Sequence, residues 1–253
     1  MSVSEMHNSR AGGRDPHRAQ RAELACAFRW AARLDLHEGV ANHFSLSVND
    51  DGTRFLINPD SRHFSRIRAG DLLLVDALDP ATMDREDAPE ATAWGLHGAL
   101  HRNCPEARCA LHLHPPYATV LASLADSTML PIDQNCARFF NRVAVDPDYG
   151  GLALDEEAER CTRLLKDKRI LLMGNHGVMA TGPTVARAFD ELYYFERAAR
   201  TLVTAYMTGR ELRVLPDEVA EATARQWEEL PIADKHFAEL MAILDEEEPD
   251  YRQ

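Results

Sequence analysis

The stretch Cys109-Ala-Leu-His-Leu-His-Pro-Pro-Tyr117 carries the strongest local signal in the chain. Its apolar, alternating first half predicts a strand, and the two prolines end that strand and begin a helix. Side chains two apart in a strand point to the same face, so His112 and His114 project together and the leucines beside them face the core. Two neutral imidazoles on one face can bind a metal ion. Alone, the pair could equally be an ordinary polar strand face.

A second stretch, Met173-Gly-Asn-His-Gly-Val178, places a histidine in a glycine-flanked turn between two apolar segments. Glycine tolerates backbone conformations that other residues avoid, so the turn can bend sharply and bring His176 close to another element. A turn histidine without any partner explains the pattern equally well at this point. The prediction is therefore a tight turn with a histidine at its tip.

The rest of the chain alternates strand and helix patterns without a repeat. Strands are predicted over 44–48, 55–57, 71–76, 108–114, 139–145, 170–173 and 178–181, with a hairpin turn at 50–52. Helices are predicted over 15–36, 90–102, 115–124, 155–166, 183–207, 217–229 and 233–244, followed by a solvated tail from residue 245. These patterns predict a flexible leader (1–14), one α/β domain with a mainly antiparallel sheet (15–218) and a helical C-terminal extension (219–253).

Composition narrows the class of protein. The 253 residues carry a formal net charge of −13, which disfavours nucleic acid and anionic membrane surfaces as partners. There is no apolar run of the length that spans a membrane, and the first residues lack the apolar core of a secretory signal. Five cysteines without a C-x-x-C pair predict reduced thiols in a cytoplasmic protein.

Taken together, H-x-H-P-P-Y followed by N-H-G between two apolar strands resembles the class II aldolase and adducin family. Three further segments match in the same order: Gly39-Val-Ala-Asn-His-Phe-Ser-Leu-Ser47, Ile57-Asn-Pro-Asp60 and Ala69-Gly-Asp-Leu-Leu-Leu-Val-Asp76. The helix over 92–104 and the stretch over 171–182 complete the pattern. Only the leader and the C-terminal extension lie outside the resemblance.

The resemblance implies a three-layer α/β/α fold with a central, mainly antiparallel sheet covered by helices. It also implies one divalent metal ion per subunit, held by His112, His114 and His176, in a homotetramer with active sites between subunits. Such an ion polarises a substrate carbonyl or hydroxyl and stabilises an enolate-like intermediate. Zinc, manganese, iron and cobalt all accept imidazole ligands, so the residues do not select among them.

One departure from the family pattern bears on the reaction. The aldolases place a glutamate four residues before a helix histidine; if that histidine is His97, the position holds Ala93. Alanine can neither ligate a metal nor transfer a proton, and Glu90 could replace the glutamate only if the helix were shifted. Because decarboxylation needs an electron sink and a proton but no such base, we predict a decarboxylase. The stretch Thr92-Ala-Trp-Gly-Leu-His97 resembles family members that decarboxylate hydroxylated aromatic, heteroaromatic or 3-oxo acids, which implies a substrate of that class.

Several other residues are candidates for this site. Proton transfer is assigned to His97, His43, Tyr194 or Glu90, although a packed helix histidine and a surface histidine are equally good interpretations of the first two. Candidates for substrate contact are Thr92, Ser61 and Arg62, with Arg66, Arg138 and Arg142 as further arginines able to hold a carboxylate. Three alternative functions stay open: a class II aldolase, an iron-dependent oxygenase and a non-catalytic adducin-like scaffold.

Overall fold

A seven-stranded sheet forms the centre of the protein in the computed structural model, which describes residues 15–149 and 154–253. Its strand order is β3-β2-β1-β4-β7-β6-β5, and every neighbouring pair is antiparallel except β5 and β6. The strands are β1 (His43–Ser47), β2 (Arg54–Ile57), β3 (Leu73–Asp76), β4 (Cys109–Leu113), β5 (Val143–Asp146), β6 (Ile170–Met173) and β7 (Gly177–Gly182). The predicted mainly antiparallel sheet is confirmed.

Helices cover both faces of this sheet. They are α1 (Arg18–Arg33), α2 (Ala91–Asn103), α3 (Pro116–Ala122), α4 (Gln134–Arg138), α5 (Leu154–Leu165), α6 (Val185–Met207), α7 (Asp217–Glu229) and α8 (Ile232–Glu247). One face packs against α1, α3, α6 and α8, and the opposite face packs against α2 and α5. The three-layer α/β/α architecture implied by the resemblance is therefore present.

Strand alternation divides the core between the two layers. Phe44 and Leu111 point from the sheet towards α1 and α6, whereas Ala110 and Met179 point towards α2 and α5. Both faces are covered, so β1 and β4 are buried along their whole length. Any polar side chain on the α2 face must consequently find its hydrogen-bond partners inside the protein.

The hairpin turn predicted between β1 and β2 is confirmed, and it rests on the end of α2. Gly52 adopts a positive φ of 70°, and a Cβ there would lie 2.1 Å from the carbonyl oxygen of His101. Only glycine allows the turn to approach the helix this closely. This contact fixes the position of the turn after β1 against the end of α2.

Two expectations about the chain are wrong. Strand β5 begins at Val143 rather than at residue 139, because residues 134–138 form the short helix α4, capped by the side chain of Asp133. The tail from residue 245 is packed instead of solvated. Its Tyr251 is fully buried, and Arg29, also buried, binds the carboxylates of Glu248 and Asp250. An apolar ring and the partners of a buried arginine hold this segment against α1.

The domain boundaries remain predictions. The leader over 1–14 lies outside the described residues, and helices α7 and α8 of the predicted extension pack against α4 and α6. No helix in 15–149 or 154–253 combines the length and the apolarity that crossing a bilayer requires.

Candidate metal centre

Three histidines meet where β4 ends and the turn between β6 and β7 folds over it. His112 lies on β4, His114 follows it, and His176 occupies the turn. One ring nitrogen from each lies within 4.8 Å of the others, and Nε2 of His112 is 3.2 Å from Nε2 of His114. The structure thus brings together the three residues that the resemblance implies as metal ligands.

The glycine after His176 explains how the turn comes so close. A Cβ on Gly177 would lie 2.5 Å from the carbonyl oxygen of Leu113 and 2.6 Å from Cδ2 of His114. Any side chain at this position would push β7 away from the end of β4. The close approach expected from the glycine-flanked turn is therefore confirmed, and its neighbour is the H-x-H segment.

Each histidine of the cluster has a polar group behind its ring. Nδ1 of His112 lies 3.2 Å from the carbonyl oxygen of Val178, and Nδ1 of His114 lies 2.5 Å from a carboxylate oxygen of Glu38. Nδ1 of His176 is 3.5 Å from a carboxylate oxygen of Glu157 but makes no hydrogen bond to it. Such outer partners orient imidazoles and fix which nitrogen carries the proton.

These contacts leave a place that fits a cation. Because Nδ1 of His112 and Nδ1 of His114 donate outwards, each Nε2 carries a lone pair, and the two lone pairs face each other across 3.2 Å. A tetrahedral ion with metal–nitrogen distances of about 2.1 Å separates its ligand nitrogens by about 3.4 Å. A bound divalent ion would therefore match this spacing and remove the repulsion between the lone pairs.

Burial keeps two of these imidazoles in the neutral form that binds metals. It lowers the pKa of His112 well below its usual value, and the neighbouring His43 and His176 lower it further. Burial also lowers the pKa of His114, although the hydrogen bond to Glu38 opposes this effect. The ligand atoms that the described residues offer here are therefore imidazole nitrogens, with no carboxylate oxygen among them.

The structure places His43 and His97 beside this cluster. His43 on β1 is the antiparallel partner of His112 on β4, and their ring centroids are 4.8 Å apart. Its Nδ1 lies 2.6 Å from Nε2 of His97, which is completely buried on α2. Burial lowers the pKa of His43 to about 4. Both residues were predicted as proton-transfer candidates, and that role stays a prediction.

Two residues that were not predicted as part of the site continue this contact into the core. Ser45 hydrogen bonds to His97 and, at 2.7 Å, to Nε2 of His101. Nδ1 of His101 lies 2.8 Å from the carbonyl oxygen of Ala107. A signal existed, because residues 97 and 101 are one helical turn apart and residues 43 and 45 share a strand face.

At the start of α2, Ala93 occupies the position of the family's glutamate, and Glu90 lies three residues before it. Ala93 is buried among apolar side chains, including Phe55 and Ile57. Glu90 instead caps the helix: one carboxylate oxygen accepts hydrogen bonds from the Thr92 hydroxyl and from the Ala93 N–H at 2.8 Å. Burial raises the pKa of Glu90, but these hydrogen bonds outweigh it and the pKa lies below its ordinary value. Thr92 and Glu90 are thus engaged with each other.

The predicted substrate contacts on the loop after β2 face a different part of the molecule. Arg62 pairs with Asp71 at 3.1 Å, and Arg66 lines a surface cavity with Arg62 and Asp250. Ser61 is exposed at a φ of 58°. None of these side chains hydrogen bonds to the histidine cluster within the described residues, and their role stays a prediction.

Tyr194 lies in a separate cluster formed by α6, α7 and α8. Its ring packs against Trp227 and His236, and the guanidinium of Arg138 lies 4.8 Å from its centroid. Arg138 is itself buried and bound to Asp190 at 2.8 Å. The remaining arginine candidate, Arg142, binds Glu221 and Glu228 on α7.

Three residues near the histidine cluster carry no recognisable pattern in the sequence. They are Glu38 and Glu157, which stand behind two of the histidine rings, and Tyr149, whose ring centroid is 5.9 Å from that of His176. Each reaches the cluster from a distant part of the chain. Local spacing therefore could not have indicated them.

Comparison with known proteins agrees with this geometry. A family profile described as "Class II Aldolase and Adducin N-terminal domain" matches residues 22–203, which include all three clustered histidines. Decarboxylase NovR of Streptomyces niveus is 27% identical over 204 residues, covering 80% of this chain and 75% of that protein. The 4-hydroxy-3-prenylphenylpyruvate oxygenase/4-hydroxy-3-prenylbenzoate synthase of Streptomyces roseochromogenus subsp. oscitans is 28% identical over 204 residues, covering 80% and 73%. An aldolase II superfamily protein from Pseudomonas syringae has a crystal structure with a TM-score of 0.84 and 30% identity, covering 94% of this chain and 97% of that one.

Proposed function

The chain belongs to the class II aldolase and adducin family, and we propose that it is a divalent-metal-dependent carbon–carbon lyase. The favoured reaction is decarboxylation of a hydroxylated aromatic, heteroaromatic or 3-oxo carboxylic acid. His112, His114 and His176 would hold the ion. A relative named as a decarboxylase, at 27% identity, supports this choice within the family.

The observation that carries the proposal is a three-histidine cluster to which the described part of the chain adds no carboxylate ligand. Position 93, where the family's aldolases have glutamate, is an alanine packed between Phe55 and other apolar side chains. Aldol cleavage requires a base that takes a hydroxyl proton from the substrate. Decarboxylation releases CO2 directly, so it requires a sink for the electron pair and a proton for the carbon, but no carboxylate base of this kind.

We assign the movement of that proton to His43. Its Nε2 has no hydrogen-bond partner among the described residues, and its ring lies against His112. With a hydroxylated acid, Nε2 would take the hydroxyl proton and return it to the carbon as the bond to the carboxylate breaks. The products are CO2 and the deprotonated hydroxyl compound, which takes a proton from water, so His43 ends as it began.

When bound, the divalent ion (zinc, manganese, iron or cobalt) supplies Lewis-acid stabilisation of negative charge on a substrate oxygen. The chain contributes three imidazoles, which add no negative charge to the site. Glu38 and Val178 hold two of these rings in the orientation that directs Nε2 inwards. Within 15–149 and 157–253, the donor set therefore holds no protein carboxylate that would compete with the carboxylate of an acid substrate.

Metal analysis tests the site. Purified wild-type protein should carry one divalent ion per chain, and His112→Ala should lose it. His236→Ala is the matched control, because this histidine is bound to Asp190 away from the cluster. A wild-type protein without a stoichiometric divalent ion would show that the cluster does not bind metal.

A substrate panel tests the reaction. Metal-reconstituted enzyme should release CO2 from hydroxylated aromatic, pyridine or 3-oxo acids and leave hydroxy-keto compounds intact. Turnover of hydroxy-keto compounds alone would favour the aldolase alternative. In Ala93→Glu the new carboxylate enters an apolar cluster, so we expect loss of CO2 release; a variant that gained aldolase activity while keeping the native reaction would refute the argument from the missing carboxylate.

An oxygenase is the second candidate, because imidazole ligands also hold iron and one relative is named as an oxygenase. Oxygen uptake by the iron-loaded enzyme, absent with zinc, would establish it. A scaffold without catalysis is disfavoured because a binding module has no use for three clustered histidines, two of which have oriented lone pairs. Retained folding with no metal and no turnover would support the scaffold.

We further propose a homotetramer in the cytoplasm. Oligomers are common in this family, and light scattering of the purified protein should give the mass of four chains. All five cysteines are free and buried, which agrees with a reducing compartment. The expected partner is a small carboxylic acid.

A further inference from the structure

A row of four hydrogen-bonded side chains runs from the metal centre into the α2 layer. Nδ1 of His43 lies 2.6 Å from Nε2 of His97, and Nδ1 of His97 bonds to the hydroxyl of Ser45. The same hydroxyl lies 2.7 Å from Nε2 of His101, whose Nδ1 is 2.8 Å from the carbonyl oxygen of Ala107. All four side chains are buried. We call this row the histidine–serine chain.

The carbonyl at the inner end fixes the direction of every bond in the row. A carbonyl oxygen only accepts, so Nδ1 of His101 must carry a proton and, in the neutral ring, Nε2 must accept one. Ser45 therefore donates to His101 and accepts from Nδ1 of His97. The same reasoning makes Nε2 of His97 an acceptor, to which Nδ1–H of His43 donates. One backbone group thus determines the proton positions on three imidazoles.

The two inner rings satisfy the condition of neutrality. Neither His97 nor His101 hydrogen bonds to a carboxylate that would stabilise an imidazolium. Burial lowers the pKa of His101 to about 4 and that of His97 well below its usual value. At neutral pH each ring therefore has one donor and one acceptor nitrogen.

We propose that Ser45, His97 and His101 are positioning residues that hold His43 in the tautomer protonated on Nδ1, with an unprotonated Nε2 beside the metal histidines. This inference rests on the proposed function only for the use of that nitrogen in proton transfer. The histidine–serine chain does not conduct protons out of the site, because the carbonyl of Ala107 cannot take up a proton. Its effect is to decide which nitrogen of His43 is available to the substrate.

The surroundings of the row favour this role over simple packing. Immediately beside His97 and His101 on α2, Leu96 and Leu100 complete an apolar cluster with α5. Apolar residues in place of the polar ones would avoid the cost of burying four hydrogen-bonding side chains. Each inner member is fully paired, whereas Nε2 of His43 has no partner among the described residues. The only open end of the row is therefore the end at the metal centre.

Magic-angle-spinning NMR of zinc-loaded, full-length protein with isotope-labelled histidine tests the tautomer directly. The nitrogen signals of His43, assigned by their loss in His43→Gln, should show a protonated Nδ1 and an unprotonated Nε2. In Ser45→Ala, Nδ1–H of His97 loses its acceptor, so His97 can adopt the opposite tautomer. The nitrogen signals of His43 should then no longer show the wild-type tautomer. Ser45→Thr keeps the hydroxyl and should restore it.

Kinetics supply a second readout. Because general acid–base catalysis contributes about 10²–10⁴-fold, kcat for CO2 release should fall by about 100-fold in Ser45→Ala with KM nearly unchanged, and Ser45→Thr should recover it. The proposal is overturned if His43 is protonated on Nε2 in the wild type. It is also overturned if the His43 signals are the same in Ser45→Ala as in the wild type. The wild-type spectrum decides even if Ser45→Ala does not fold. If the spectra are as expected but no acid releases CO2, only the proposed function is refuted.

Discussion

Replacing His101 with glutamine should weaken the dependence of folding stability on acid. Burial lowers the pKa of His101 from 6.5 to about 4 in the folded protein. As pH falls below 6.5, the unfolded chain takes up a proton at this residue, whereas the folded protein does so only near pH 4. The unfolded state thus binds more protons throughout this window, so stability is full above pH 6.5 and is lost as pH falls towards 4.

The size of the effect follows from the two pKa values. Between pH 7 and pH 5, linkage at this single site removes about 2 kcal/mol from the free energy of unfolding. Glutamine keeps one donor and one acceptor for Ala107 and Ser45 but has no proton to gain. The variant should therefore lose about 2 kcal/mol less than wild type over the same interval, whatever its stability at pH 7.

Urea unfolding followed by circular dichroism at pH 7 and pH 5 measures this difference. The titration of the other histidines is common to both proteins and cancels in the comparison. His17→Gln, which removes a partly exposed histidine beside α1, is the control and should retain the wild-type dependence. If wild type and His101→Gln lose the same free energy of unfolding, His101 is protonated as easily in the folded protein as in the unfolded chain. The hydrogen-bond direction assigned to the histidine–serine chain would then lose its basis.

Four further substitutions have expected outcomes. Gly177→Ala should destabilise the fold by about 1–3 kcal/mol in urea unfolding and weaken metal binding, since its Cβ would overlap His114; unchanged values would contradict the close approach. Glu38→Gln should reduce metal affinity about 10–100-fold by calorimetry, and Glu157→Gln should reduce it less because its carboxylate makes no hydrogen bond to the ring; the reverse order would refute this assignment. Tyr251→Ala should cost about 3–5 kcal/mol in urea unfolding, and a loss below about 1 kcal/mol would mean that the tail is not part of the core.

The strands and the three clustered histidines were predictable because local chemistry specifies them. Alternating apolar residues bounded by prolines or glycines defined β4 and the turn at His176. The helix α7 was predicted with both ends correct, since Pro216 precedes it and an amphipathic pattern runs to Glu229. In each case a single short window of sequence contains the whole signal.

The other members of the site depend on packing between distant segments. Glu38 reaches His114 from a loop before β1, and nothing near either residue in the sequence indicates the contact. The spacing of His97 and His101 indicates a shared helix face, but only the packing of α2 against β1 shows that Ser45 hydrogen bonds to His101. The packed tail was missed for the same reason, because the partners that Arg29 requires lie at the opposite end of the chain.

The helix α2 links the missing carboxylate to the histidine–serine chain. Ala93, His97 and His101 follow one another at intervals of one turn, so they form a single stripe facing the sheet. The first position is occupied by a small apolar residue, and the next two by imidazoles whose bonds end at His43. A glutamate at 93 would bring its own charge and its own proton site to the cluster. In this chain the stripe instead orients a neutral base on β1, and this arrangement suits a reaction in which one proton moves from a substrate oxygen to a carbon.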